Sequence, residues 1–219
     1  MKTSGKIICI GNQKGGVGKS TITSMLANYI QKHSNAKVLV VDADDLQQTL
    51  SKLRNKELEV MDQEDDVYNI ESIYAADFES NIKSWKANYD LIFVDVPGNL
   101  KHAGVGTIYS NTDFLFIPTS SSTFDISSTL EFISFVLEVL KPVNKGLITY
   151  AFFNRVKPQT KDFKELYKSK DRFPIPFLEN FVPEHVNLQR EASTVDTYEN
   201  INSGEYDKFC KEVISILIK

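Results

Sequence analysis

Apolar residues occur along this chain in two alternating rhythms. Mostly apolar runs at residues 7–10, 38–41, 90–95, 113–118 and 147–153 have the length and character of parallel strands buried on both faces. Between them, apolar residues recur at three- and four-residue steps, as on one face of a helix. Ile22, Met25, Leu26, Tyr29 and Ile30 form the first such stripe, and Ile82 and Trp85 mark a helix over 78–88. Ile126, Leu130, Ile133, Val136, Leu137 and Leu140 follow a Ser-Ser-Ser-Thr cap at 120–123, and Tyr206, Phe209, Val213, Ile214 and Leu217 give a last helix over 204–219. Short strands are expected at 67–70 and 178–182, with a proline-bearing loop at 173–177. Strand–helix alternation over 219 residues predicts one α/β domain, residues 1–219: a doubly wound, mostly parallel twisted sheet with helices on both faces.

The densest chemistry lies between the first strand and the first helix, in Gly11-Asn12-Gln13-Lys14-Gly15-Gly16-Val17-Gly18-Lys19-Ser20-Thr21. Glycines let backbone N–H groups converge on an anion without Cβ clashes, and a helix N-terminus adds its positive end. In a strand–loop–helix context, Gly-Lys-Ser reads as a phosphate cradle. Gly15, Gly16, Val17, Gly18 and Thr21 would surround the phosphates. Lys19 would set its ammonium between the β- and γ-phosphates, and Ser20 would offer its hydroxyl to Mg²⁺.

Two later runs end in carboxylates. The second ends in Asp42-Ala43-Asp44, and 90–94 is followed by Asp95-Val96-Pro97-Gly98. At the carboxyl ends of parallel strands such groups lie beside the loop. There they can hold Mg²⁺ through water or polarise an attacking water; helix capping is the alternative for the first pair, and a plain strand-end turn for the second. Gly98 permits close approach to a γ-phosphate and lets the loop rearrange.

The standard loop, Gly-x₄-Gly-Lys-[Ser/Thr], has glycine where this chain has Gln13, and an extra lysine, Lys14, precedes the glycines. This resembles the deviant Walker A loop of the ParA/MinD family of ATPases, which partition plasmids and chromosomes or position division sites. The resemblance implies that ATP and Mg²⁺ close a sandwich homodimer in which Lys14 reaches the partner's phosphates, with ADP as product. It makes Lys14, Lys19 and Asp44 the expected catalytic set, Asp44 orienting the hydrolytic water, and Ser20, Asp42 and Asp95 the magnesium set. Phe124-Asp125 matches a Phe-Asp pair that the family often shows. Asn154, in Asn154-Arg155, matches its adenine-contacting asparagine, and Val182-Pro183-Glu184-His185 its loop whose backbone, at Pro183, flanks the adenine. After Asp-x-Asp the family's proline is absent, and a glutamine, Gln47, comes one place late.

Charge refines this at two places. A net charge of −4 excludes a bulk electrostatic nucleic-acid binder, so any DNA contact needs a local patch or dimerisation. Residues 154–172 hold seven bases and three acids; Lys157, Lys161, Lys164 and Lys168 are spaced to share a helical face. That face either neutralises phosphates or is simply solvated. Residues 57–66 hold six acids and no base, which reads as an exposed loop or, more sharply, a regulator-binding surface. Cys9 and Cys210, without a Cys-x-x-Cys, are expected to be free buried thiols in a reducing cytosol, with no iron–sulfur or zinc site. No signal peptide and no apolar run of ~18 residues is present.

The function expected from the whole is a small ParA-like DNA-partition ATPase. It would be cytoplasmic and nucleoid-associated when ATP-bound, would bind nonspecific DNA and no membrane, and would hydrolyse ATP weakly until a small DNA-binding partner protein stimulates it. The rivals are a MinD-like membrane-associated positioning ATPase and a metabolic ATP-dependent ligase on the same fold.

Overall fold

Among the described residues, seven parallel strands form one sheet in the order β3-β2-β4-β1-β5-β6-β7. They are β1 (Lys6–Ile10), β2 (Val38–Asp42), β3 (Asn69–Ser72), β4 (Leu91–Asp95), β5 (Phe114–Thr119), β6 (Ile148–Val156) and β7 (Val182–Pro183). The helices are α1 (Lys19–His33), α2 (Thr49–Leu58), α3 (Phe78–Asn88), α4 (Val105–Ser110), α5 (Thr123–Phe135), α6 (Lys141–Val143), α7 (Lys161–Lys168) and α8 (Gly204–Leu217), a π-helical turn (Val136–Leu140) joining α5 to α6. This computed structural model describes residues 4–44, 48–59, 67–185, 193–195 and 204–218.

The continuous apolar runs are explained by two cores, one on each face of the sheet. Successive strand side chains point to opposite faces. Ile8, Ile10, Val38, Val40 and Phe93 meet α1 and α8 through Met25, Leu26, Phe209 and Val213. Ile7, Cys9, Leu39, Val41 and Val94 meet α3, α4 and α5 through Phe78, Trp85, Ile108 and Phe132. Each such side chain contributes roughly 1.5–3 kcal/mol when fully buried, so neither face tolerates alternating polar residues. Cys9 and Cys210 sit in these cores as free thiols; burial pushes Cys9 up to about 12 and raises Cys210 too, which leaves both unreactive.

Several elements differ from the sequence pattern: the strand expected at 67–70 runs instead over Asn69–Ser72, and the one expected at 178–182 is reduced to Val182–Pro183. On α5 the buried residues are Thr129, Phe132 and Ile133, followed by Val136 and Leu140, while Leu130 is 38 % exposed. The inward stripe is therefore rotated from the expected one, because Thr129 is drawn in by a hydrogen bond to Thr119 (3.0 Å) and another from Asn12 (3.1 Å). Strand β6 continues to Val156, three residues past the expected end, carrying Asn154 and Arg155 to the sheet's carboxyl edge. Glu57, assigned by its charge to an acidic loop, lies in α2 and accepts from the Thr194 amide (2.9 Å). Residues 60–66 of that run, like Gln47, lie outside the described residues.

The order places β1 between β4 and β5. The chain moves from β1 toward β2 and later returns to build the other half, so the loops leaving β1, β4 and β5 part at their carboxyl ends. Open parallel sheets bind ligands at such a point. Among the described residues, no helix is long and apolar enough to cross a membrane.

Candidate functional site

A cleft of about 900 Å³ opens at that point, lined among others by Gly15, Lys19, Ser20, Asp44, Gly98 and Arg155. The loop from β1 to α1 forms its floor. Gly16 (φ 75°) and Gly18 (φ 93°) are left-handed, a backbone state that glycine adopts without steric cost. A Cβ on Gly18 would also stand 2.6 Å from Asn154 Nδ2, so this residue must be glycine on both counts. A Cβ on Gly15 or Gly16 would meet nothing within 4 Å, so this part of the cradle is open. Lys19 begins α1 and sends its ammonium back across the loop to the Lys14 carbonyl (3.2 Å); a Cβ on Gly98 would lie 3.4 Å from that nitrogen. Burial lowers the Lys19 pKa, and Asp95 and Asp44 oppose the shift.

The carboxylates stand as the strand ends predict. Asp42 and Asp95 are register partners on neighbouring strands, both buried. Asp42 accepts from the Ser51 amide with Oδ2 (3.0 Å). Asp42 Oδ1 and Asp95 Oδ1 are buried with no hydrogen-bond partner. Burial pushes the Asp95 carboxyl up to about 7; a Ser20 hydrogen bond opposes this, the Asp42 charge adds to it, Lys19 opposes it and Asp44 adds to it. Among the described residues no three His, Cys, Asp or Glu side chains converge as a protein-only metal cage. Two orphaned carboxylate oxygens beside a serine hydroxyl nonetheless fit Mg²⁺, which is ordinarily held by one or two carboxylates while phosphates and water complete its shell. Ser20, Asp42 and Asp95 are the residues that would hold it.

On one flank the loop is fastened to α5. Asn12, foreseen in no role, is 1 % exposed; its Nδ2 donates to the Pro118 carbonyl (2.9 Å), and its Oδ1 accepts from the Lys14 amide (3.0 Å). Gln13, in place of the standard glycine, donates to Glu131 Oε2 (3.1 Å). Lys14 forms an ion pair with Asp125, which also accepts from Ser120 Oγ. The sequence signal for Asp125 was its place in the Phe124-Asp125 pair, whose Phe124 is 86 % exposed beside it.

On the other flank the loop is fastened to β6. Asn154 Nδ2 donates to the Val17 carbonyl (2.8 Å), and Arg155 Nη1 to the Gly16 carbonyl (2.7 Å). Thr21, Asn154, Pro183 and His185 surround a narrow gap next to them, so the residues matched to adenine contacts are gathered at one place.

The basic stretch at 154–172 does not form one free face. Arg155 is turned into the loop, and Lys170 is buried against Glu179 (2.5 Å) and Tyr167. Lys157 pairs with Glu184 (3.1 Å) and Lys161 with Glu165 (3.7 Å). Among the described residues, Lys164, Lys168 and Arg172 have no ion-pair partner.

Comparison with known proteins gives one family and several solved structures of the same fold. The family described as the CobQ/CobB/MinD/ParA nucleotide binding domain matches residues 8–197. Among curated protein sequences none matches. A putative plasmid partition protein of Borrelia burgdorferi, solved with AMPPNP, is 20% identical with a TM-score of 0.70, covering 99% of both chains. A ParA-family ATPase from Chlorobium tepidum is 20% identical with a TM-score of 0.67, over 99% of this chain and 98% of that one. The MinD cell division protein of Aquifex aeolicus is 18% identical with a TM-score of 0.71, over 98% and 97%.

Proposed function

Since the chain belongs to the family of CobQ/CobB/MinD/ParA nucleotide-binding domains, we propose that it is an ATP-driven DNA-partition ATPase. In this reading the cleft takes Mg²⁺-ATP, with triphosphate oxygens in the cradle of residues 15–21 and the base beside Asn154 and Pro183. Bound Mg²⁺ would neutralise charge on the β- and γ-phosphates. Lys19 stabilises the same charge from the floor of the cleft. Asp44, at the cleft wall, orients the attacking water. Positioning and electrostatics carry such catalysis, so hydrolysis is slow until a partner protein completes the site.

The observation that carries the reading is the pairing of Lys14 with Asp125 at the start of α5. Its backbone belongs to the loop, but its half-exposed ammonium pairs with Asp125 and does not line the cleft beside Lys19. A cation at the lip serves a phosphate brought from outside better than one already on the floor beside Lys19. Two such chains face to face exchange lysines across two nucleotides, and the closed dimer joins the Lys164, Lys168 and Arg172 surfaces of both chains against DNA. Hydrolysis removes the shared γ-phosphate contacts, and the dimer opens and releases DNA.

The test is co-sedimentation with nonspecific DNA in Mg²⁺ and ATP. Wild type is expected to pellet only with ATP, and Lys14→Ala to remain in solution although it still binds nucleotide. Equal pelleting of both proteins, or none of wild type, defeats the reading. The likeness to MinD, as close as that to partition proteins, supports a membrane-positioning ATPase as second reading. ATP-dependent recruitment to anionic liposomes would favour it.

A further inference from the structure

We infer that Arg155 is a positioning residue for the phosphate loop: a bulge in β6 turns it, together with Asn154, onto the loop apex and aims the loop's N–H groups at an anion. The inference rests on the nucleotide-binding reading above and names the residues that shape that site.

Arg155 has φ 56°, a left-handed backbone that a side chain with a Cβ rarely adopts, and it does so inside a strand. The register of β6 against β7 shifts at this residue, with Asn154 opposite Val182 and Val156 opposite Pro183. Bulges of this kind re-aim side chains next to functional sites, and strained backbone persists where surrounding structure demands it. In a regular strand, Asn154 and Arg155 would point to opposite faces. With the bulge, both reach the same loop, Asn154 to the Val17 carbonyl (2.8 Å) and Arg155 to the Gly16 carbonyl (2.7 Å).

Two consecutive carbonyls drawn toward β6 fix the direction of two N–H groups. Among the described residues no peptide bond is cis, and in a trans peptide the N–H points opposite to the carbonyl it is joined to. Holding the Gly16 and Val17 carbonyls toward β6 therefore turns the Val17 and Gly18 N–H groups away from it, to the concave side of the loop. That is the orientation an anion nest requires, and it is set before any ligand arrives. Gly18 completes the arrangement, since a Cβ there would meet the Asn154 amide at 2.6 Å. The cradle is thus shaped from outside the loop, by a pair of residues some 140 positions later in the chain.

A clamp of this kind acts on every nucleotide that uses the α- and β-phosphates, so its loss weakens ATP and ADP alike. The test measures binding of fluorescent ATP and ADP analogues to the full chain with Mg²⁺, and thermal melting of the nucleotide-free protein. The proteins are wild type, Arg155→Gly, Arg155→Gln and Arg155→Lys. Arg155→Gly is expected to melt no lower than wild type, because glycine relaxes the left-handed residue, yet to bind both nucleotides about tenfold more weakly, the size of one charge-assisted hydrogen bond. Arg155→Gln weakens both similarly, Arg155→Lys recovers part of the loss, and KM for ATP rises more than kcat falls. Lower melting with unchanged affinity would make Arg155 a fold residue and overturn the clamp. Loss of ATP but not ADP binding would overturn it too, by pointing to a γ-phosphate contact. Wild type and variants binding equally would remove the clamp alone, whereas wild type binding neither nucleotide would remove the nucleotide reading beneath it.

Discussion

Asp95 is the residue at which the site's electrostatics are least comfortable. Its carboxyl is pushed up to about 7, by burial first and then by Asp42 and Asp44, against the Ser20 hydrogen bond and the Lys19 ammonium. The unfolded chain titrates it near an ordinary aspartate value of about 3.9. Between these limits the folded protein holds a proton that the unfolded one has lost, so stability is greatest at the acid end and falls as pH rises toward 7. The slope approaches about 1.4 kcal/mol per pH unit for one proton. Nucleotide- and metal-free protein in a chelator should therefore melt higher at pH 5.5 than at pH 7.5, and Asp95→Asn should flatten that dependence. A melting temperature that rises with pH in wild type and ignores Asp95→Asn would contradict this. Asp42, Asp44 and Asp95 were legible in the sequence because each ends an apolar run at the same edge of the sheet. Asp125 was marked only as half of a Phe-Asp pair, and its hold on Lys14 was not legible, since that residue lies 111 positions earlier. Asp125→Asn keeps the Ser120 hydrogen bond but frees Lys14. ATP-dependent dimerisation, measured by light scattering, should then begin at a protein concentration a few-fold lower, the reach of a partly exposed ion pair of about 1 kcal/mol.

Helix α2 shows the same limit among elements. Its apolar pattern is too weak to fix it to the sheet, with only Leu50 and Arg54 buried. Arg54 does the fixing: it donates to Thr194 Oγ1 (2.8 Å), the Thr194 carbonyl (2.8 Å) and the Tyr68 carbonyl (2.7 Å), over the Tyr68 ring. Glu57, one turn on, grips the same threonine. Ser51, at the start of the helix, donates to Asp42, so the clasp also steadies a carboxylate of the site. Replacing Arg54 with methionine keeps much of the volume and strands two buried carbonyls, each costing about 1–3 kcal/mol. Urea unfolding of Arg54→Met should show a loss of roughly 3 kcal/mol, and a loss under 1 kcal/mol would mean that the helix is held otherwise. Strands β1, β2, β4 and β5 and helix α1, by contrast, follow from periodicity alone, because two-sided burial imposes continuous apolar runs that no solvated element shares. Where an element is fixed by polar contacts across 140 residues, as α2 is, spacing along the chain carries no trace of it. The bulge in β6 is illegible for a related reason: Arg155 is ordinary in composition, and only its register against β7 betrays the left-handed turn.

At the scale of the whole molecule the question is how a chain of net charge −4 could hold DNA. Spacing put Lys157, Lys161, Lys164 and Lys168 on one face, but Glu165 lies on that face as well and pairs with Lys161. The segment around β7 brings up Glu179 and Glu184, which occupy Lys170 and Lys157. Three cations, Lys164, Lys168 and Arg172, remain for phosphates, too few for a lone chain to bind tightly, and dimerisation doubles them. Each phosphate contact adds about 0.9 to the slope of log affinity against log salt, so an ATP-closed dimer using all of them should show a slope near −5. Lys164→Ala, Lys168→Ala and Arg172→Ala combined should flatten the slope and abolish DNA binding while ATP-dependent dimerisation persists. Lys157→Ala or Lys161→Ala should change DNA affinity less than twofold, because a cation already shared with a carboxylate releases little counterion when it meets a phosphate. If the triple variant kept the wild-type slope, α7 would lie off the DNA surface. If Lys161→Ala alone matched the triple variant, the ion pairs would open on contact and the face read from spacing would be the working one after all.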